Sequence, residues 1–149
     1  MKHRITIEII SSLLIVLFVY TACSKLLEYR LFRSQLENAP FINKAAPVIS
    51  WLLPAAELLT AAELTITATR KAGLYSSFFL LLFFTAYIAL MLFSNVHLPC
   101  TCGGVIKSLS WKQHLVFNIF FLSIAAVGIA IGNKKTNQLP IKYLRKKRE

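Results

Sequence analysis

Two cysteines, Cys100 and Cys102, stand one residue apart in the stretch NVHLPCTCGG. Residues i and i+2 can bring their α-carbons into the usable range for a disulfide. Such a bridge closes a very small ring, so it removes little entropy from the unfolded chain and stabilises the fold only weakly. Constrained, exposed bridges are also easily reduced. The pair therefore predicts thiol–disulfide exchange rather than structural bracing.

A metal site is the alternative interpretation of the same loop. His97, Cys100, Cys102 and His114 offer soft ligands that suit Cu(I) or Zn(II). The Cys-x-Cys spacing by itself is weak evidence for metal, and neither acidic nor Met-rich residues surround it. We therefore predict no metal site.

The third cysteine, Cys23, lies near the end of the first apolar segment and has two interpretations. It either resolves a mixed disulfide or is a buried apolar cysteine, which is the commoner case. The stretch VYTACS loosely resembles a lipoprotein cleavage site, but Tyr20 stands where leucine is expected and Glu8 interrupts the apolar segment. We therefore expect no cleavage before Cys23.

The elements that must position these residues are membrane helices. With 56% hydrophobic residues and a mean hydropathy of +0.62, the chain of 149 residues is too apolar for a soluble fold. Four blocks each approach the roughly 20 residues that a helix needs to cross a bilayer, and lipid offers no partner to an open strand edge. The fold class is therefore all-α, a single-domain integral membrane four-helix bundle. The predicted spans are residues 5–27, 46–69, 74–96 and 111–131.

The net charge of +11 is distributed unevenly between the two ends of these spans. Eleven of the 17 Lys and Arg residues fall on the side of the termini, including the basic tail 133–149, and six fall on the other side. The positive-inside rule then places both termini in the cytoplasm and the Cys-x-Cys loop outside, where the compartment is oxidising. The tail is ordinary juxtamembrane charge beside the lipid bilayer, so we predict no nucleic-acid partner.

A short amphipathic stretch, EYRLFRSQLENAP, follows the first span. It predicts a helix that ends before Pro40 and lies at the outer interface as a roof over the bundle.

Polar residues inside the spans are the remaining candidates for chemistry. A carboxylate at mid-membrane costs about 2.5–3.5 kcal/mol on insertion scales, so Glu57 and Glu63 must each face protein or water. Glu57, nearer the middle, either joins helices or takes part in proton or quinone chemistry. Lys25 is expected to extend its amine to the headgroups. His114 and Asn118 lie one turn apart on one helix face, where the histidine is either structural or a ligand or base.

The order of these motifs resembles the MauE/DoxX group of redox-associated bacterial membrane proteins. The resemblance rests on YTACSKLLEYRLFRSQL, LPAAELLTAAEL and PCTCGG…SWKQHLVFN, and it covers nearly the whole chain. It implies membrane thiol–disulfide or quinone redox work, and MauE itself is implicated in maturing methylamine dehydrogenase. By matching motif, candidate roles pass to Lys25, Glu57, Cys100 and Cys102, while His114 and Asn118 lie in the matching helix start.

The sequence thus predicts a multi-pass protein of the bacterial inner membrane in which Cys100 and Cys102, assisted by Glu57, are catalytic. Because no cysteine lies near the cytoplasmic end, electrons would pass to a quinone, the one candidate cofactor, or to an extracytoplasmic thiol–disulfide partner. The alternative is a non-catalytic membrane subunit or scaffold of a redox or metal-handling complex. Cys23, Lys25, His114 and Asn118 are accessory candidates in either case.

Overall fold

The computed structural model describes residues 2–39, 42–93 and 111–146, with side chains described for 4–39, 42–93 and 112–133. These residues form five α-helices and one short 3₁₀ helix, Asn43–Ala45. The α-helices are α1 (Lys2–Leu27), α2 (Tyr29–Asn38), α3 (Ala46–Thr65), α4 (Arg70–Phe93) and α5 (Trp111–Lys146). Four of them, all but α2, are long and apolar enough to cross a membrane, which confirms the predicted all-α membrane fold.

The four long helices form an alternating up-and-down ring in chain order. α1 packs against α3 and α5, and α4 packs against the same two helices. Lys25 near the end of α1 meets Glu57 of α3, whereas Leu14 of α1 shares a core cluster with Leu64 near the end of α3, so these helices run antiparallel. We call the end of the bundle where α1 ends and α3 and α5 begin the loop side, and the opposite end the tail side.

The turn between α3 and α4 is tighter than the sequence predicted. α3 ends at Thr65 instead of residue 69, and α4 begins at Arg70 instead of residue 74. The Thr69 hydroxyl donates to the Glu63 carbonyl at 2.9 Å, and Arg70 Nε donates to the Leu64 carbonyl at 3.3 Å. These side chains satisfy carbonyls that the end of α3 leaves without helical partners, and they close the turn within four residues.

Two glycines let the helices approach closely on the tail side. A β-carbon on Gly73 of α4 would lie 2.8 Å from the backbone nitrogen of Leu64 in α3. A β-carbon on Gly128 of α5 would lie 3.0 Å from Leu74 and 3.1 Å from Ile10. Small residues at such contacts allow the van der Waals packing that holds helices together in lipid.

The helix α2 roofs the loop side, as its amphipathic pattern predicted. It follows α1 after the single non-helical residue Glu28, and it ends at Asn38 with Ala39 extended before Pro40. Its apolar face is buried through Phe32 and Leu36. These two side chains form a cluster with the first turns of α3.

α5 is longer than its apolar part. The predicted span ended at residue 131, but the helix runs to Lys146 and so includes most of the basic segment. At the point where its apolar part ends, Asn133 donates a hydrogen bond from Nδ2 to the Tyr75 hydroxyl at 3.0 Å. This bond ties the tail side of α5 to α4.

Candidate functional site

A buried ion pair lies in the core of the bundle. Lys25 Nζ of α1 is 2.7 Å from Glu57 Oε1 of α3, and the two side chains are 3% and 1% exposed. The lysine amine also donates to the Thr21 carbonyl one turn back, at 3.4 Å. Helical side chains lean toward the helix N-terminus, and that direction carries the amine of Lys25 into the bundle.

The expectation that Lys25 extends to the headgroups is therefore wrong. The sequence places this lysine in the last turn of a span, where snorkelling to the interface is common. The structure supplies a carboxylate instead, on a neighbouring helix and within hydrogen-bonding distance. In a medium of low dielectric, a paired charge is far less costly than an isolated one, so the Lys25 side chain turns inward to Glu57.

Aromatic rings surround the amine of Lys25. The ring centre of Phe32 in α2 lies 6.0 Å from Nζ, and that of Phe84 in α4 lies 5.7 Å away. Both distances allow cation–π attraction, which is worth more when the cation is desolvated, as here. The pair therefore joins four elements, since α1 and α3 supply its charges while α2 and α4 supply its walls.

The fifth element, α5, contributes two buried polar residues to the same region. His114 and Asn118 are 5% and 6% exposed, one turn apart on the inner face of the helix. The charge of Lys25 acts electrostatically on His114. The predicted face is thus turned toward the ion pair, which leaves both the structural and the chemical interpretation of His114 open.

The second oxygen of Glu57 is buried without a hydrogen-bond partner among the described residues. The Thr21 hydroxyl lies beside the carboxylate but donates to the Phe18 carbonyl at 3.2 Å. Buried polar atoms in native proteins nearly always have a partner, often a water, an ion or a ligand. Glu57 Oε2 is therefore the atom of this site with the most capacity for a further interaction.

The roof is tied to the site by a smaller polar contact. The Tyr29 hydroxyl of α2 and the Ser50 hydroxyl of α3 lie 3.1 Å apart, and Ser50 donates to the Pro47 carbonyl at 2.9 Å. The Tyr29 ring lies 5.0 Å from the Trp51 ring. Trp51 is 62% exposed, as expected for a ring at the membrane interface.

The two carboxylates of α3 serve different ends of the bundle. Six residues separate Glu57 from Glu63, and at about 100° per residue they point in different directions from the helix. Glu63 Oε2 accepts a hydrogen bond from the Ser76 hydroxyl of α4 at 2.8 Å, close to the tail side. The two residues therefore provide a natural comparison, with one carboxylate in the core and the other near the α3–α4 turn.

The predicted cysteine chemistry falls on residues that the structure does not describe. Cys100 and Cys102, together with His97, lie outside the described residues, so their roles stay predictions. Among the residues that are described, no group of three or more His, Cys, Asp or Glu side chains could hold a metal ion.

The expectation that Cys23 is a buried apolar cysteine is wrong. Among the described residues its thiol has no disulfide partner, and Cys23 is exposed on the outer surface of α1. Successive helical residues are rotated by about 100°, so two residues separate opposite faces of the helix. Because Lys25 faces the core, Cys23 faces outward, where a bilayer would surround it.

The aromatic walls of this site were not predicted from the sequence. The amphipathic pattern of α2 could have identified Phe32 as a residue facing the bundle. Nothing in the local sequence distinguishes Phe84 from the phenylalanines around it in the apolar stretch FFLLLFF. Its position depends on how α4 packs.

Comparison with known proteins identifies a family. A family model described as methylamine utilisation protein MauE matches residues 3–131, which is most of the chain. Neither the curated proteins nor the solved structures gave a match. The chain belongs to the MauE family and is a multi-pass membrane protein of methylamine utilisation, which confirms the MauE part of the resemblance.

Proposed function

We propose that this MauE-family protein is a thiol–disulfide redox protein of the bacterial inner membrane. In this proposal Cys100 and Cys102 exchange electrons with an extracytoplasmic partner protein, and Glu57 assists from inside the bundle. The loop side of the bundle is then the extracytoplasmic side, in agreement with the distribution of Lys and Arg along the sequence.

The observation that carries the proposal is the ion pair with its open carboxylate oxygen. Replacing a buried ion pair by apolar residues is often neutral or stabilising, so stability alone gives little reason to keep one. Intramembrane ionisable residues are rare and mark functional sites. Here Lys25 and Glu57 lie among buried polar residues that include His114, three residues after the start of α5. The cysteine pair precedes the same helix in the sequence.

The reaction is a balanced two-electron exchange. A partner protein with two thiols attacks the Cys100–Cys102 disulfide through a mixed disulfide, and a second partner thiol then releases the pair. The partner ends with a disulfide, and Cys100 and Cys102 end as thiols. Reoxidation of the pair releases two electrons and two protons, which a quinone in the bilayer would take up to become a quinol. Run in the opposite direction, the same steps reduce a partner disulfide.

Alkylation in intact cells tests the proposal. A thiol-reactive mass tag, applied with and without reductant, should show Cys100 and Cys102 in both oxidised and reduced forms. Cys23→Ser is the matched control, because it removes one thiol and should leave this pattern unchanged. A Cys102→Ser variant should trap a mixed disulfide between Cys100 and the partner, which mass spectrometry can identify.

The alternative function is a non-catalytic membrane subunit or scaffold. The Lys25–Glu57 contact favours this scaffold function, because a buried ion pair can hold α1 and α3 in register. A Cys100→Ser variant separates the two functions. If that variant leaves every partner disulfide and every growth phenotype unchanged, the redox proposal is wrong and the scaffold remains.

A further inference from the structure

Buried polar side chains are concentrated in the loop half of the bundle. On α3, Ser50 and Glu57 are buried two turns apart, with exposures of 0% and 1%. The neighbouring helices contribute Lys25 from α1 and the pair His114 and Asn118 from α5. We call these five buried residues of the loop half, between the roof and the middle of the membrane, the polar column.

The tail half of the core is filled mainly by apolar side chains. Leu64, two turns beyond Glu57 on α3, is 0% exposed. It belongs to a cluster of buried aliphatic residues that comprises Ile10, Leu14, Ala61, Leu64, Leu74 and Ala125, together with Phe18 and Leu81. At the same level Gly73 lies against the backbone of α3 and Gly128 against the Leu74 and Ile10 side chains, and this close packing leaves little room for water.

Hydroxyl groups in the tail half do not continue the polar column. The Thr60 hydroxyl donates to the Ala56 carbonyl at 2.8 Å, and the Ser77 hydroxyl donates to the Gly73 carbonyl at 2.6 Å, so both are bonded to their own helices. Ser11 Oγ has no hydrogen-bond partner within the described part of the chain. None of these hydroxyls bonds to the Glu57 carboxylate.

Distance along the helix does not by itself decide from which end of the bundle water reaches Glu57. At about 1.5 Å per residue, Glu57 lies roughly 16 Å from the loop-side start of α3 and roughly 12 Å from its tail-side end. The shorter route is the apolar one. Water is nevertheless expected to reach Glu57 by the longer, polar route from the loop side, because water enters a core only where polar groups can hold it.

We infer that Glu57 is a proton-exchange residue that communicates with water on the loop side only, and that Lys25 is its positioning residue. Oε2 is the atom that takes up the proton, since Oε1 is held by the lysine amine. Uptake of the proton converts the Glu57 carboxylate to a neutral acid and leaves the positive charge of Lys25 in place. Release of the proton restores the ion pair, whose net charge is zero.

Among the described residues, three ionisable side chains from other elements lie in the region of Glu57. Lys25 of α1 bonds to it, His114 of α5 is within electrostatic reach of Lys25, and the phenol of Tyr29 in α2 contacts Ser50 of α3. The nearby group from α4 is the uncharged ring of Phe84. Assigning the exchanged protons to thiol oxidation rests on the proposed function, but one-sided water access does not.

Three positions on one face of α3 give a direct test. Ser50, Glu57 and Leu64 are buried and spaced seven residues apart, so each can be changed to cysteine in a background without Cys23, Cys100 and Cys102. The full-length protein is placed in sealed vesicles, and a small, charged, membrane-impermeant thiosulfonate is applied from one side at a time. Trypsin cleavage of the basic tail reports the orientation.

We expect a graded result. Ser50→Cys and Glu57→Cys should react from the loop side at least an order of magnitude faster than from the tail side, and Leu64→Cys should react from neither. Because Glu57→Cys leaves Lys25 unpaired, the variant Lys25→Met/Glu57→Cys repeats the measurement with that charge removed. Reaction of position 57 from the tail side, or from neither side, would overturn the inference.

This background lacks the native cysteines, so the accessibility result is independent of the proposed redox function. A second measurement uses the native cysteines and compares Glu57→Gln with Glu63→Gln. If Glu57 exchanges protons for the thiol chemistry, Glu57→Gln alone should change the pH profile of thiol reoxidation. One-sided access with an unchanged profile would overturn the proton role of Glu57 and leave the Cys100–Cys102 proposal standing.

Discussion

Removing one partner of the Lys25–Glu57 pair should destabilise the protein far more than removing both. At 2.7 Å and an effective dielectric constant of about 20, the gross attraction between the charges is about 6 kcal/mol. The desolvation of both groups offsets much of this attraction in the intact pair. A single replacement leaves one buried charge without compensation, so Lys25→Met or Glu57→Met should each cost about 3–5 kcal/mol.

The double variant Lys25→Met/Glu57→Met should have nearly the same free energy of unfolding as the parent protein. Two unbranched apolar side chains fill a similar volume, and replacement of buried ion pairs by apolar residues is commonly neutral or stabilising by about 1–4 kcal/mol. The double-mutant cycle should therefore give a large coupling energy. The assay is equilibrium unfolding in mixed detergent micelles, followed by helical circular dichroism and by tryptophan fluorescence.

The exposed pair of Arg4 and Glu8 is the matched control. Its atoms are 3.1 Å apart, but its side chains are 79% and 46% exposed. Solvent-exposed pairs contribute about 0.2–1 kcal/mol, so Arg4→Gln should fall within that range. Two results would refute the physical reasoning: single replacements at positions 25 and 57 that cost no more than Arg4→Gln, or a double variant that loses the sum of the two single effects.

Gly73→Ala should lower the free energy of unfolding by about 1–3 kcal/mol, since the new methyl group meets the Leu64 backbone. Gly132→Ala is the control in the same unfolding assay. Its methyl group would have no described atom of another element within 4 Å, so the change should be neutral or slightly stabilising. In a Trp111→Phe background, Trp51 is the one remaining tryptophan. Tyr29→Phe should leave its emission spectrum nearly unchanged, whereas Tyr29→Ala should shift it, because the ring contact at 5.0 Å is lost. Equal shifts in the two variants would show that the hydroxyl contact with Ser50 matters more than the ring contact. The loss of stability caused by Lys25→Met should shrink as pH falls, because the unpaired Glu57 carboxylate can then lose its charge by protonation. Unfolding of the variant and the parent at several pH values checks this, and a loss that grows toward low pH would contradict it.

Some details of the helix ends depended on atoms that a sequence pattern does not reveal. Hydropathy extended the second span to residue 69, because Ile66 and Ala68, beyond the end of α3, are still apolar. The chain turns earlier because Thr69 and Arg70 satisfy carbonyls at the end of α3. At the other extreme, α5 continues past its apolar part, since hydropathy marks the membrane boundary of a helix but not the end of its hydrogen bonding.

The inward turn of Lys25 illustrates why the site itself was harder to predict. Glu57 was identifiable as a residue that needs a partner, since a carboxylate in lipid is costly. Its partner lies 32 residues away on another helix, and an isolated helix would favour extension of the lysine toward water. The choice between these two conformations depends on the distance between α1 and α3, which is a property of the assembled bundle.

The sequence by itself determined that the chain makes four apolar helices with an amphipathic helix beside them, because the length and periodicity of apolar residues are local properties. It also marked Glu57, His114 and Asn118 as polar groups that must find an environment inside the bundle. Only the tertiary structure decided that Lys25 pairs with Glu57, that Phe32 and Phe84 enclose the amine, and that Cys23 faces outward. Those outcomes depend on which helix faces meet, and helix packing in lipid is governed by close contacts between distant parts of the chain.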